Sequence, residues 1–158
     1  MKNKIVKLDV LIKSIISKRE EGKVIVATSG CFDILHAGHV QYLEKARECG
    51  DVFVLFLNSD KSVRQLKGPE RPIVPEEQRA EVVAGLGCID YVCIFNEMTP
   101  SEIIEKVKPD IWVKGADYQG VDIPEKKIID TYGGIIRYID FKEGCSSTNI
   151  IERIRELQ

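Results

Sequence analysis

The sequence predicts an α/β fold: a single domain in three layers, α/β/α, built on a five-stranded parallel sheet. Three observations carry this. Short apolar runs alternate with amphipathic stretches through most of the 158 residues, giving β-α-β-α-β-α-β-α-β after an opening helix. One run, Val52-Phe53-Val54-Leu55-Phe56-Leu57, is apolar at every position, as a strand covered on both faces must be. Polar segments follow four of the five strands, at 30–39, 58–60, 114–118 and 141–148, and a doubly wound sheet gathers such segments on one rim.

The elements follow in order. Ile5, Leu8, Ile12, Ile15 and Ile16 recur at helical spacing between Lys and Glu, predicting a helix over 4–20, with Gly22 suited to a left-handed cap. This segment, 1–22, is expected to pack on the main domain, 23–158. Strand one is read as Lys23–Thr28 and strand two as Val52–Leu57. Asn58-Ser59-Asp60 is an Asx-rich turn able to cap a helix from Lys61. Lys67-Gly68-Pro69-Glu70-Arg71-Pro72 breaks the pattern as a charged loop, either plainly solvated or a flap that closes on phosphate. Pro75 and two acids open the next helix, to about Leu86. Tyr91–Phe95 is strand three. Thr99, Pro100 and Glu102 read as N-cap, N1 and N3 of a capping box. Ile111–Lys114 and Ile135–Ile139 are the last strands, with a helix from about Glu125 to Tyr132 between them. A final helix begins around Ser146-Ser147-Thr148 and runs to Arg155.

Composition narrows the function. A net charge of −2 offers no global field for nucleic acid or an anionic membrane. No apolar run approaches the ~20 residues of a membrane span, and the charged start does not resemble a signal peptide, so a cytoplasmic location is expected. The five cysteines form no CxxC pair and read as reduced thiols, with no zinc ligand set among them.

The chemistry concentrates in Gly30-Cys31-Phe32-Asp33-Ile34-Leu35-His36-Ala37-Gly38-His39, between strand one and an amphipathic helix. At such a junction, free backbone N–H groups and the positive helix end face an anionic ligand. Both histidines of the chain lie here, three residues apart. No G-x-G-x-x-G dinucleotide fingerprint follows the strand.

The His36-Ala37-Gly38-His39 tetrad resembles the HxGH signature of the Rossmann-like nucleotidyltransferase superfamily. Four further segments narrow the resemblance: Asn58-Ser59-Asp60-Lys61-Ser62-Val63; Leu66-Lys67-Gly68-Pro69 with Arg71-Pro72-Ile73; Lys114-Gly115-Ala116-Asp117-Tyr118; and Glu143-Gly144-Cys145-Ser146-Ser147-Thr148. Together they are similar to the bacterial D-glycero-β-D-manno-heptose 1-phosphate adenylyltransferases. Ala116 replaces a usual second glycine, and Cys145-Ser146-Ser147 modifies the family's Gly-x-Ser-Thr-Thr. Phe141-Lys142 replaces the Arg-Thr of glycerol-3-phosphate cytidylyltransferases.

The resemblance implies transfer of AMP from ATP to heptose 1-phosphate, giving ADP-heptose for lipopolysaccharide and pyrophosphate. The alternatives are a cytidylyltransferase for a polyol or sugar phosphate, and a non-catalytic nucleotide sensor. It implies catalytic roles for His36, His39, Lys67 and Arg79. Gly30, Cys31, Phe32, Gly38, His39, Lys114, Gly115, Asp117, Ser146, Ser147 and Thr148 are expected at the nucleotide. Asp33, Asn58, Asp60, Arg71 and Tyr118 are expected at the sugar phosphate. From the residues alone, Asp33, Asn58, Asp60 and the hydroxyls at 146–148 read equally as helix caps, and Arg79 as a partner of Glu76. Mg²⁺ is expected through the phosphates, without direct protein ligands. A homo-oligomer is expected, as are a separate heptose kinase and phosphatase to supply the substrate.

Overall fold

Strand β1, Ile25–Gly30, is the middle strand of the sheet, with Ile25 and Ala27 buried on one face and Val26 on the other. The computed structural model describes residues 3–158. Within them, five parallel strands run in the order β3-β2-β1-β4-β5, with β2 at Val52–Asn58, β3 at Tyr91–Phe95, β4 at Ile111–Gly115 and β5 at Ile135–Ile139. The helices are α1 (Leu8–Glu20), α2 (Ala37–Arg47), α3 (Asp60–Lys67), α4 (Glu76–Ala84), α5 (Ser101–Val107), α6 (Pro124–Tyr132) and α7 (Ser147–Glu156), with a 3₁₀ turn at Ala116–Tyr118. The chain leaves β1 toward β2 on one side and later returns to place β4 on the other. The sheet therefore reverses direction beside β1, and the loops after β1 and β4 part there.

Two cores explain the all-apolar β2. Val52, Val54 and Phe56 face a cluster with Leu11 and Ile15 of α1, Ile104 of α5, Ile129 of α6 and Trp112 of β4. Phe53, Leu55 and Leu57 face the other side, with Tyr42 and Leu43 of α2 and Ala80 and Val83 of α4. Period-two alternation sends each set to its own layer.

Aspartates stitch the amino rim of the sheet. Asp51 accepts from Val24 N, Asp90 from Phe53 N and Asp110 from Ile25 N, at 2.7–2.8 Å. Each stands just ahead of a strand and satisfies a backbone donor at the start of its neighbour.

Several boundaries depart from the sequence pattern. Ile5 is not helical; it bridges Val92, while Val6 N donates to Val92 O and Val92 N to Lys4 O. The outer edge of β3 lacks a strand partner, and this extended segment supplies one before α1 begins. Residues 1 and 2 of the N-terminal segment lie outside the described residues. Strand β1 runs two residues further than Thr28, to Gly30, in register with Leu57. The capping box at α5 is not formed: Thr99 Oγ1 donates to Ser101 Oγ, and Glu102 pairs with Lys106 one turn on. Gly22 takes the left-handed conformation expected of it, φ +75°.

Candidate active site

The carboxyl ends of β1, β2, β4 and β5 open onto one cleft of about 840 Å³, within the range of small-molecule sites. Gly30, Cys31, Phe32, Asp33, His39, Asn58, Lys67, Lys114, Gly115, Asp117, Tyr118 and Ser147, all expected at the site, line it. His36, Gly38, Asp60, Arg71, Arg79, Ser146 and Thr148 do not.

The turn after β1 is built by close packing. Phe32 takes a left-handed backbone, φ +45°, which turns its ring back over Gly30. A Cβ on Gly30 would stand 2.5 Å from that ring. The Phe32 ring continues to His39, with centroids 4.9 Å apart. Gly38 is compressed in the same way between Cys145 and the His36 ring.

The two imidazoles stack at 3.8 Å, tilted by 20°. His36 is the N-cap of α2, its Nδ1 accepting from His39 N at 3.4 Å. In the neutral ring that bond assigns the proton to Nε2, leaving a donor. His36 Nε2 and His39 Nδ1 are buried and have no hydrogen-bond partner among the described residues. Burial, then His36 and Lys67, push His39 down to about 4; burial also lowers His36. Both rings are therefore neutral near pH 7, and they stack without mutual repulsion.

Four expected ligand contacts are redirected into the scaffold. Arg79 is buried, neither a surface partner of Glu76 nor open to a phosphate. Its Nε donates to Val74 O, Nη1 to Cys31 O and Asn58 O, and Nη2 to Asp60 Oδ1, at 2.6–2.9 Å. Asp60 is thereby committed to Arg79, and Glu76 accepts from Asp60 N. Asp33 accepts from Arg71 Nε and from the N–H groups of Ile73 and Val74, at 2.8–3.0 Å. Both of its oxygens are filled, so it clasps the 71–74 loop and leaves no lone oxygen for a sugar. Arg71 is the other half of that clasp through Nε, while its buried Nη2 has no hydrogen-bond partner among the described residues. Outside the clasp, Glu70 pairs with Arg155 of α7 at 3.0 Å, while Lys67, at the end of α3, lines the cleft and forms no ion pair among the described residues.

The hydroxyls at α7 divide their work. Ser146 caps the helix by accepting from Asn149 N; Ser147 Oγ donates to Ile34 O and accepts from Ile34 N; Thr148 is exposed. Ser147 thus pins α7 against the turn that carries the histidines. Similarly, Ser59 caps α3 while Asn58 Nδ2 donates to Ser62 Oγ.

Sequence reasoning missed three wall residues. Tyr42 stands three residues after His39, on the same helical face, with its hydroxyl between Thr28 and Val113 O. Phe141 stacks on Tyr42 at 4.7 Å and meets His39 edge-on. Glu125, which reads in sequence as an ordinary first-turn acid, is buried beside Lys114. The three-residue spacing of His39 and Tyr42 is a legible signal; the other two depend on tertiary approach.

A parallel sheet with a ligand-sized cleft at its switch point defines a Rossmann-like α/β protein of the nucleotide-binding kind. The chain belongs to the cytidylyltransferase-like family, whose model matches residues 27–153. Among curated relatives, it is 54% identical over 137 residues to the bifunctional protein HldE of Syntrophotalea carbinolica, covering 87% of this chain and 28% of the relative. It is 50% identical over 154 residues to the protein of that name from Trichlorobacter lovleyi, covering 98% and 31%. The chain thus spans about three tenths of the length of these relatives. A crystal structure of a lipopolysaccharide core biosynthesis protein from Thermoplasma volcanium superposes with a TM-score of 0.63 at 29% identity, covering 77% of this chain and 100% of that one.

Two outcomes follow from the scaffold roles. Arg79→Leu is expected to destabilise the protein by about 3–5 kcal/mol in urea unfolding, because it strips donors from buried acceptors; a residue that served only a ligand would leave stability unchanged. For Asp33, burial raises the carboxyl pKa, but the Val74, Ile73 and Arg71 donors outweigh it and hold it below the ordinary value. The folded state then takes up this proton at lower pH than the unfolded chain. The stabilisation is complete above the unfolded pKa of about 3.9 and is lost as pH falls through the folded one. Asp33→Asn should therefore flatten the acid limb of the stability curve below about pH 4, and should speed proteolysis within 67–74. Unchanged slopes and cleavage would count against the clasp.

Proposed function

We propose that this chain is a sugar-phosphate adenylyltransferase that transfers AMP from ATP to D-glycero-β-D-manno-heptose 1-phosphate and releases pyrophosphate. The observation that carries the reading is the pair of neutral, stacked imidazoles with unmet nitrogens at the start of α2, beside the free cation Lys67. The Lys-Gly-Pro segment, whose Lys67 lines the cleft, and the Lys-Gly-Ala-Asp-Tyr segment, all five residues of which line it, support the heptose branch. So do the relatives, one named a bifunctional protein HldE and one a lipopolysaccharide core biosynthesis protein.

A sugar 1-phosphate is already anionic near neutral pH, so the attack needs no strong base. Its oxygen bonds to the α-phosphorus as the bond from that phosphorus to the β-phosphate oxygen breaks, and pyrophosphate leaves with that electron pair. The barrier lies in bringing anions together and holding the charge that shifts to the leaving group. His39 and Lys67, both on the cleft wall, donate to the phosphates, and His36, stacked on His39 but off the cleft lining, is proposed to add its unmet Nε2–H. Neutral imidazole donors suit this work, since their strength does not depend on catching a proton near pH 7.

Mg²⁺ accompanies the triphosphate and offsets part of its charge. Among the described residues, no three His, Cys, Asp or Glu side chains are grouped to cage a metal. Asp117 and Asp140 line the cleft without ion pairs among the described residues and would be the carboxylates nearest such an ion. Cys31 also lines the cleft, but burial raises its thiol pKa against the pull of Lys67, Arg79 and Arg71. It is a protonated thiol with no base assigned to it and takes no covalent part.

The test is a pyrophosphate-release matrix of ATP, CTP, GTP and UTP against heptose 1-phosphate, other sugar 1-phosphates and glycerol 3-phosphate. Turnover is expected to be greatest with ATP and the heptose. Preference for CTP with glycerol 3-phosphate, or no turnover with any pair, would overturn the reading. His36→Ala and His39→Ala should each lower kcat about 100-fold or more, with the circular dichroism spectrum retained.

A further inference from the structure

Glu125 is a buried acid that the reaction outlined above leaves unused. It stands in the first turn of α6, 2% exposed, on the wall of the cleft. Its Oε1 accepts from Lys114 Nζ at 2.9 Å, and that ammonium lies 4.5 Å above the Tyr118 ring. Its Oε2 is buried and has no hydrogen-bond partner among the described residues. A buried acceptor without a donor costs on the order of 1–3 kcal/mol, and more when charged. On a cleft wall, such an oxygen marks the place of a donor on the ligand.

Charge decides which part of the ligand that is. Lys114 and Glu125 compensate each other, so this end of the cleft draws phosphate far less than Lys67 does. Ile123, Pro124, Tyr118 and Phe141 line the same cleft and give it apolar and flat surfaces. Such surfaces receive a base and ribose rather than a polyanion.

We infer that Glu125 is a specificity residue: its Oε2 accepts a hydrogen bond from an N–H or O–H donor on the nucleoside half of the triphosphate. The donor is either an exocyclic amine of the base or a ribose hydroxyl. Lys114 and Tyr118 hold the carboxylate in position, with Oε1 tied so that Oε2 alone faces the ligand. The inference rests on the nucleotidyl-transfer reading above, and deepens it.

Calorimetric binding of the Mg²⁺ complexes of ATP, inosine triphosphate, 2′-deoxy-ATP and 3′-deoxy-ATP tests it, in the wild type and in Glu125→Gln. Glutamine keeps the shape but replaces an acceptor by an amide donor. The wild type is expected to bind ATP about tenfold or more tightly than at least one analogue, as sites built around a hydrogen bond reject ligands lacking it. Glu125→Gln should lose that discrimination. Loss against inosine triphosphate identifies the base amine as the donor; loss against a deoxy analogue identifies the hydroxyl. Should Glu125→Gln fail to fold, Glu125→Asp, which withdraws the oxygen by one methylene, takes its place. Equal binding of all four by the wild type overturns the inference, as does full discrimination retained in the folded variant. Turnover of ATP without discrimination sinks this inference alone. Discrimination in binding without turnover on any sugar phosphate sinks the reaction and leaves the role of Glu125 standing.

Discussion

The Arg79 guanidinium reaches from α4 into the joint between β1 and β2, and the cleft depends on it. Its donors hold the carbonyls of Cys31 and Asn58, just past or at the ends of two adjacent strands, together with Val74 O in the loop before α4 and the Asp60 carboxylate at the start of α3. Cys31 and Val74 lie outside the strands and Asn58 is the last residue of β2, so the sheet ends where these carbonyls stand. One planar cation binds them in a fixed fork, which an ammonium could not match. Asp33 extends the same frame by clasping Ile73, Val74 and Arg71. The β1 turn, the start of α3 and the loop before α4 are thus tied together by hydrogen bonds. The histidines, Lys67 and the far wall of the cleft are positioned against this frame.

That frame lets the site be electrostatically uneven. The proposed phosphate end has Lys67, without an ion pair among the described residues, and imidazoles that burial keeps neutral, while the proposed nucleoside end sets Lys114 against Glu125. Positive charge is concentrated where the two anions are proposed to meet and is cancelled elsewhere. A cleft charged throughout would bind triphosphate in several registers. The arrangement here gives one end of the ligand a reason to lie in one place.

Much of this was legible in the sequence because the signals were local. The alternation of apolar runs located all five strands, and the unbroken apolar β2 announced a sheet covered on both faces. Of the glycines and histidines that the sequence places between strand and helix, Gly30 and His39 line the cleft. Local signals failed wherever a residue's partner was distant in sequence. Arg79 looks like a surface cation because its acceptors are as many as 48 residues away. Asp33 looks like a cap or a ligand until the loop forty residues on folds over it. Glu125 carries no local mark, since an acid in a first helical turn is commonplace. Ile5 fits the helical spacing of α1, yet the open edge of β3 captured it as a bridge.

We propose that this cleft works by position, holding two anions in line for one displacement, with no covalent relay. The most direct measurement is the stereochemical course at the α-phosphorus, read with ATP made chiral at that atom by isotopic oxygen. A single in-line displacement inverts the configuration, and inversion is the predicted result, with Cys31→Ser remaining active. Retention of configuration, or a kinetically competent adenylyl-enzyme on Cys31 or His36, would contradict it.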